Sequence, residues 1–133
     1  MEVGGIAALL NRTILVGRLA TDPELRYGTS GTAVCNFRLA VDRPWAKDND
    51  EQKADFFPIV TFRKLAEVCA HNLGKGRLVA VEGRLQTRSY QAQDGSTRWV
   101  TEVVADNVRF LDWPKGGQPG GDGGAAEDDS VPF

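Results

Sequence analysis

Apolar and polar side chains alternate at every second residue in one segment after another, and that period fits a pleated strand rather than a helix. Val34 to Val41 shows it best: Cys35, Phe37, Leu39 and Val41 fall on one side, Asn36, Arg38 and Ala40 on the other. Thr13 to Leu19 is β-branched and aliphatic, and Phe56 to Phe62 makes a third strand. Leu78 to Tyr90 is a long fourth; Trp99 to Leu111 is a fifth, broken near Asp106-Asn107. Between these two, Gln93-Asp94-Gly95-Ser96 carries the Asp-Gly signal of a hairpin turn.

One stretch leaves that period. From Lys64 to Leu73, the residues Leu65, Val68, Cys69, Asn72 and Leu73 share a face at helical spacing, and Gly74 follows where a left-handed cap needs no Cβ. The order β-β-β-α-β-β predicts an all-β chain with the OB-fold, a five-stranded barrel with one helix between strands 3 and 4. Such barrels commonly bind oligonucleotides.

The last twenty residues are different. Gly116 to Ala126 is glycine-rich without apolar periodicity and is expected to be a flexible linker. Glu127-Asp128-Asp129-Ser130-Val131-Pro132-Phe133 is acidic and then abruptly apolar. The expected organisation is a flexible extension at 1–9, one OB domain at 10–113, a linker at 114–126 and an acidic tip at 127–133. Net charge is −2, yet residues through Pro114 carry 15 Lys and Arg against 14 Asp and Glu, and the remainder 1 against 4. The acidity belongs to the tail, so a nucleic-acid surface must come from the placement of basic residues rather than bulk charge.

No run approaches the roughly 20 apolar residues that span a bilayer. Met1 to Leu10 lacks a basic, then apolar, leader pattern, so a soluble cytoplasmic protein is expected. Cys35, Cys69 and the single His71 give no zinc-type spacing; the cysteines read as reduced structural thiols, and neither metal nor cofactor is expected. There is no phosphate-cradling glycine loop before a helix and no paired set of carboxylates, so no enzyme is expected.

Strand alternation sorts the candidate ligand contacts. Arg84, Gln86, Arg88 and Tyr90 share one face of the fourth strand, a poor core but a good surface for phosphates and bases. Phe56, Pro58, Val60 and Phe62 share one face of the third strand, and Phe57, Ile59 and Thr61 the other. One core cannot absorb two apolar faces, so one set faces a ligand or another subunit. Trp45 sits in a polar stretch that reads as a loop, where its ring suits base stacking. A base–aromatic stack is worth about 1–3 kcal/mol and accepts any base, so several rings hold a strand without reading its sequence.

Leu10-Asn11-Arg12-Thr13-Ile14-Leu15-Val16-Gly17-Arg18-Leu19 with Asp22-Pro23-Glu24-Leu25-Arg26-Tyr27 resembles the opening of the bacterial single-stranded DNA-binding proteins. Phe62-Arg63-Lys64-Leu65-Ala66-Glu67, Gly74-Lys75-Gly76, Val81-Glu82-Gly83-Arg84-Leu85 and Thr101-Glu102-Val103 resemble later parts of that family. The resemblance implies a homotetramer of OB-folds that protects unpaired DNA during replication, recombination and repair, associated with the nucleoid. It places the stacking rings at Trp45, Phe56, Phe62 and Tyr90, and phosphate contacts at Arg18, Arg38, Arg63, Arg84 and Arg88. Several of these rings are Trp in other members, which implies weaker stacking by Phe and Tyr. It also implies that Asp128, Asp129, Val131, Pro132 and Phe133 recruit partner proteins, with Ser130 standing where the family usually has a third acid. Two other classes remain open on sequence: an assembly protein whose barrel binds only proteins, and an OB-type RNA chaperone.

Overall fold

One apolar set from each of the five expected strands finds the same interior, and so the two-residue repeat becomes a barrel. The structure, a computed structural model, describes residues 2–3, 6–7 and 9–112. Trp113, the linker at 114–126 and the tip at 127–133 lie outside the described residues. Within the expected extension, β1 (Glu2–Val3) and β2 (Ile6–Ala7) pair antiparallel.

The barrel is built from β3 (Thr13–Leu19), β4 (Glu24–Tyr27), β5 (Ala33–Asp42), β6 (Ala54–Phe62), α1 (Arg63–Asn72), β7 (Leu78–Gln91) and β8 (Thr97–Phe110). Their order across the sheet is β3-β7-β8-β6-β5-β4. A second pairing, Arg18↔Ala40 and Leu19↔Leu39, joins β3 to β5 and closes the cylinder. Every pairing in it is antiparallel except β6 with β8, at Ile59↔Val103 and Val60↔Val104. Apart from β4, this is the OB-fold that the alternation predicts, with the helix between its third and fourth strands.

Inside lie Leu19, Cys35, Phe37, Leu39, Ile59, Val79, Val81 and Val103, with Ala66, Cys69 and Leu73 contributed by the helix side. Burial raises both thiols above their ordinary range, and pushes Cys69 up to about 12. Close approach of backbones demands glycine at two points. A Cβ on Gly17 would lie 3.0 Å from the carbonyl carbon of Ala40 and nearer still to its oxygen. One on Gly83 would lie 2.7 Å from the Ala105 Cα. The end of β8 is pinned by Arg77, whose Nε donates to Asp112 Oδ1 (2.9 Å) and whose Nη1 donates to the Asn72 carbonyl (2.8 Å).

Three local expectations change. β4 is an added edge strand, paired with β5 from Glu24↔Asn36 to Tyr27↔Ala33, and only its Leu25 packs against the core. The helix ends on Leu73 in extended conformation, and the left-handed glycine is Gly76 (φ 94°) rather than Gly74. Ala66 takes the buried position on the helix, while Asn72 is exposed and bonds back to the Val68 carbonyl (2.8 Å).

The break expected near Asp106 is a register shift: Glu82 faces Asn107, Gly83 faces Ala105, and Asp106 is left over. β3 reaches only Gly83 of β7, and β6 touches β8 only at Val103 and Val104. Beyond these points β7 and β8 continue alone, Gln86–Gln91 against Thr97–Glu102, as an arm about 20 Å long. Its turn follows the Asp-Gly signal, with Gly95 at φ 87° and Asp94 Oδ1 accepting from the Ser96 amide (2.9 Å).

Candidate nucleic-acid interface

Pairing registers carry one side-chain set across four strands. On the outer face of β5 stand Asn36, Arg38 and Ala40, opposite Val60, Pro58 and Phe56 of β6. Val60 faces Val104 of β8, and Val104, Glu102, Val100 and Arg98 face Arg84, Gln86, Arg88 and Tyr90 of β7. The inner set of β6, Phe57, Ile59 and Thr61, fills the core, which settles which of its two apolar faces looks outward.

Phe56, Phe62 and Tyr90 are thus brought to one wall, and Trp45 follows the same end of β5 in its loop. These rings are between 37% and 69% exposed, a heavy apolar display for a wall that also carries guanidiniums. The Arg38 Cζ stands 5.8 Å from the centre of the Phe56 ring, a cation–π contact that keeps ring and charge together. A groove lined by Phe62, Arg63, Leu65, Arg84 and Val104 runs on one side of the wall. Another is lined by Arg38, Pro58, Arg88, Val100 and Glu102, with Glu24 at its rim.

The five arginines fall into three conditions. Among the described residues Arg38, Arg63 and Arg84 form no ion pair. Arg88 Nε donates to Glu102 (2.9 Å), while about half of its side chain stays exposed. Arg18 is not brought to the grooves: its Nη1 is turned to the Gly76 carbonyl (3.0 Å) and Asp112 (3.4 Å). Asp106, the acid in the first groove, is occupied by Arg12 through two bonds of 2.8 and 3.2 Å. Hydrogen bonding from Arg12 holds the Asp106 carboxyl below its ordinary range.

Arg63 opens α1 with φ 58°, a left-handed backbone rare for a residue with a Cβ. The helix start has no side-chain cap and no acid in its first turn, so its amides stay available beside Phe62 and Arg63.

Glu102 is the residue that sequence reasoning missed. It is 5% exposed, and accepts from both Gln86 Nε2 (2.9 Å) and Arg88 Nε, fixing two side chains of the β7 row. Its signal was an acid standing among Val100, Val103 and Val104, where a free surface would place it between polar neighbours.

Trp45 is held from below. Ala46 N donates to the Arg43 carbonyl (3.0 Å), making a turn with Pro44 and Trp45 at its centre. Arg43 donates to Asp55 Oδ1 through Nε (3.0 Å) and Nη2 (2.6 Å), clamping the loop to β6. Hydrogen bonding from Arg43 depresses the Asp55 carboxyl below its ordinary 3.8. A depressed carboxyl stabilises the fold fully above its unfolded value and loses that contribution as pH falls through the folded one. The Trp45 fluorescence response to added oligo-dT should therefore be flat between about pH 7 and 5 and fail only below the ordinary aspartate range. A response that decays between pH 7 and 5 would contradict the clamp.

Comparison with known proteins agrees with this geometry. A family model described as the single-strand binding protein family matches residues 10–111. The chain is 57% identical over 107 residues to single-stranded DNA-binding protein 2 of Clostridium acetobutylicum, covering 80% of each chain. It is 53% identical over 121 residues to the single-stranded DNA-binding protein of Caldanaerobacter subterraneus, covering 91% of this chain and 79% of that one. Against single-stranded DNA-binding protein A of Bacillus subtilis, identity is 51% over 119 residues, 90% of this chain and 69% of the other. With a barrel, a ring-bearing wall and a match over this length, the chain belongs to the single-strand binding protein family.

Proposed function

We propose that this chain binds single-stranded DNA without regard to sequence, protecting it in replication, recombination and repair, by stacking and charge and with no covalent chemistry. One observation carries the reading: Phe56, Phe62 and Tyr90 stand on the same four-stranded wall as Arg38 and Arg84, with Arg63 beside it at the start of α1, and none of these three arginines has an ion-pair partner among the described residues. Bases would lie on the rings and phosphates on the guanidiniums. Neutralising three phosphates on a single strand gives a slope of log affinity against log salt of about −2 per chain. Titration with oligo-dT should quench the tryptophan fluorescence with at least that salt dependence, and absence of both effects would remove the DNA reading. Equal-length RNA in competition separates it from an RNA chaperone, since stacking alone does not discriminate.

The outward residues Ile14 and Val16 of β3 are both half exposed or more, and an apolar stripe of that kind supports assembly into the homotetramer that the resemblance implies. Among the described residues no helix is long and apolar enough to cross a membrane, which accords with a cytoplasmic, nucleoid-associated location. For the tail, Asp128 and Asp129 would steer encounter while Val131, Pro132 and Phe133 enter a basic-rimmed apolar pocket on a partner. Deleting residues 128–133 should leave oligo-dT affinity unchanged or tighter, because an anionic tail competes with phosphate, and should abolish capture of replication and repair partners. A truncated chain that lost DNA would overturn the assignment.

A further inference from the structure

Among the described residues, the largest ring outside the candidate interface is Trp99. It lies on β8 in register with Ser89, in the same set as Leu85, Thr87 and Thr101. That set is the opposite face of the arm from Tyr90, which pairs with Arg98 one step further toward the tip. Trp99 is 71% exposed, more than any of the four rings of the candidate interface.

Its surroundings give it no structural work. A tryptophan bracing a two-stranded ribbon covers a large cross-strand partner, whereas Trp99 stands opposite Ser89, with Thr87 and Thr101 as the next pair of its face. The barrel core takes nothing from it, because the arm has left the barrel several residues earlier. Around Trp99 the arm's face is polar, with Thr87, Ser89, Thr97 and Thr101 exposed; the apolar Leu85, 44% exposed, lies at the arm's base, away from the tip.

Its position next to the track is specific. Tyr90 and Arg98 end the outer row of rings and charges at the arm's tip, and Trp99 is the adjoining residue, turned to the reverse side. Both edges of the arm are free of neighbouring strands between Gln86 and Glu102. A polynucleotide that has stacked on Tyr90 and passed Arg98 therefore meets an open edge and then an indole.

Building on the DNA reading above, we propose that Trp99 is a further base-stacking residue, so that a long single strand turns over the edge of the arm and is held on both of its faces. The wall alone would hold a short oligonucleotide; the reverse face would engage only a longer one.

The test uses two proteins that each keep one indole: Trp99→Phe with Trp113→Phe leaves Trp45, and Trp45→Phe with Trp113→Phe leaves Trp99. Long oligo-dT should quench both. In the otherwise unsubstituted chain, Trp99→Ala should lose about 5- to 150-fold in affinity for long oligo-dT and nothing for a short one, while Trp99→Phe recovers most of the loss. Quenching of Trp45 with a silent Trp99 overturns this inference and leaves the DNA reading standing. Silence from both removes the DNA reading itself. A Trp99→Ala protein that sediments as a smaller particle assigns the indole to contact between copies and overturns the inference as well.

Discussion

Phe56→Ala combined with Tyr90→Ala should weaken oligo-dT binding by roughly 30- to 20,000-fold, the product of two stacks worth about 1–3 kcal/mol each. The two rings stand on β6 and β7 with β8 between them, so their losses should come close to adding. Phe56 adds a complication, since Arg38 rests over its ring and loses its platform when the ring goes. Thermal stability should barely move, because both rings are about half exposed and neither fills the core. The salt slope should fall by less than one phosphate's worth, in contrast to Arg84→Ala, which should reduce it by about 0.7. Fluorescence titration at several salt concentrations reads both quantities. Unchanged affinity in the double variant would end the stacking assignment.

The largest effect on folding is expected at Gly17. Gly17→Ala forces a Cβ into the Ala40 carbonyl group and within 3.1 Å of Val41 Cγ2, where β5 closes the cylinder against β3. The colliding atoms are backbone and have no rotamer to escape into. Overpacking of this kind costs about 3 kcal/mol or more, which lowers the melting temperature of a domain this size by roughly 10–25 °C. Gly28→Ala makes the control, with only the Thr32 carbonyl at 3.8 Å near its added carbon. Calorimetric scans of the two variants should separate clearly; a Gly17→Ala protein that melts with the parent would mean that β3 and β5 do not meet as described.

What the sequence disclosed, and what it hid, follows from how far each signal reaches. Alternation is local, and it located five strands and put Arg38, Phe56, Arg84 and Tyr90 on outward faces. Register across strands is not local, and nothing in the letters says that Val60 meets Val104 and joins two rows into one wall. Glu24–Tyr27 escaped because a four-residue edge strand with one half-buried side chain has no period to detect. Gly74 was a reasonable left-handed cap, yet the chain leaves α1 extended through Leu73 because the next turn is made two residues later at Gly76. Arg18 is a basic residue at a matching position whose engagement by Asp112 depends on a contact 94 residues away. Alternation and the polar loop around Trp45 put forward the four rings, and the family resemblance names the same four, whereas the part played by the buried Glu102 against Gln86 and Arg88 depends on cross-strand contacts.

The last of the described strands is not the last strand in the sheet. β8 is inserted between β7 and β6, and it alone supplies the parallel seam that joins the two halves of the wall. During synthesis, everything up to the arm's turn can leave the ribosome without any continuous track for a polynucleotide. Long-range pairing of this sort makes closure a late and comparatively slow event. A nascent chain halted short of Phe110 would expose its apolar interior and grip no DNA, so the capacity to hold a strand should arrive all at once with the last fourteen residues of β structure.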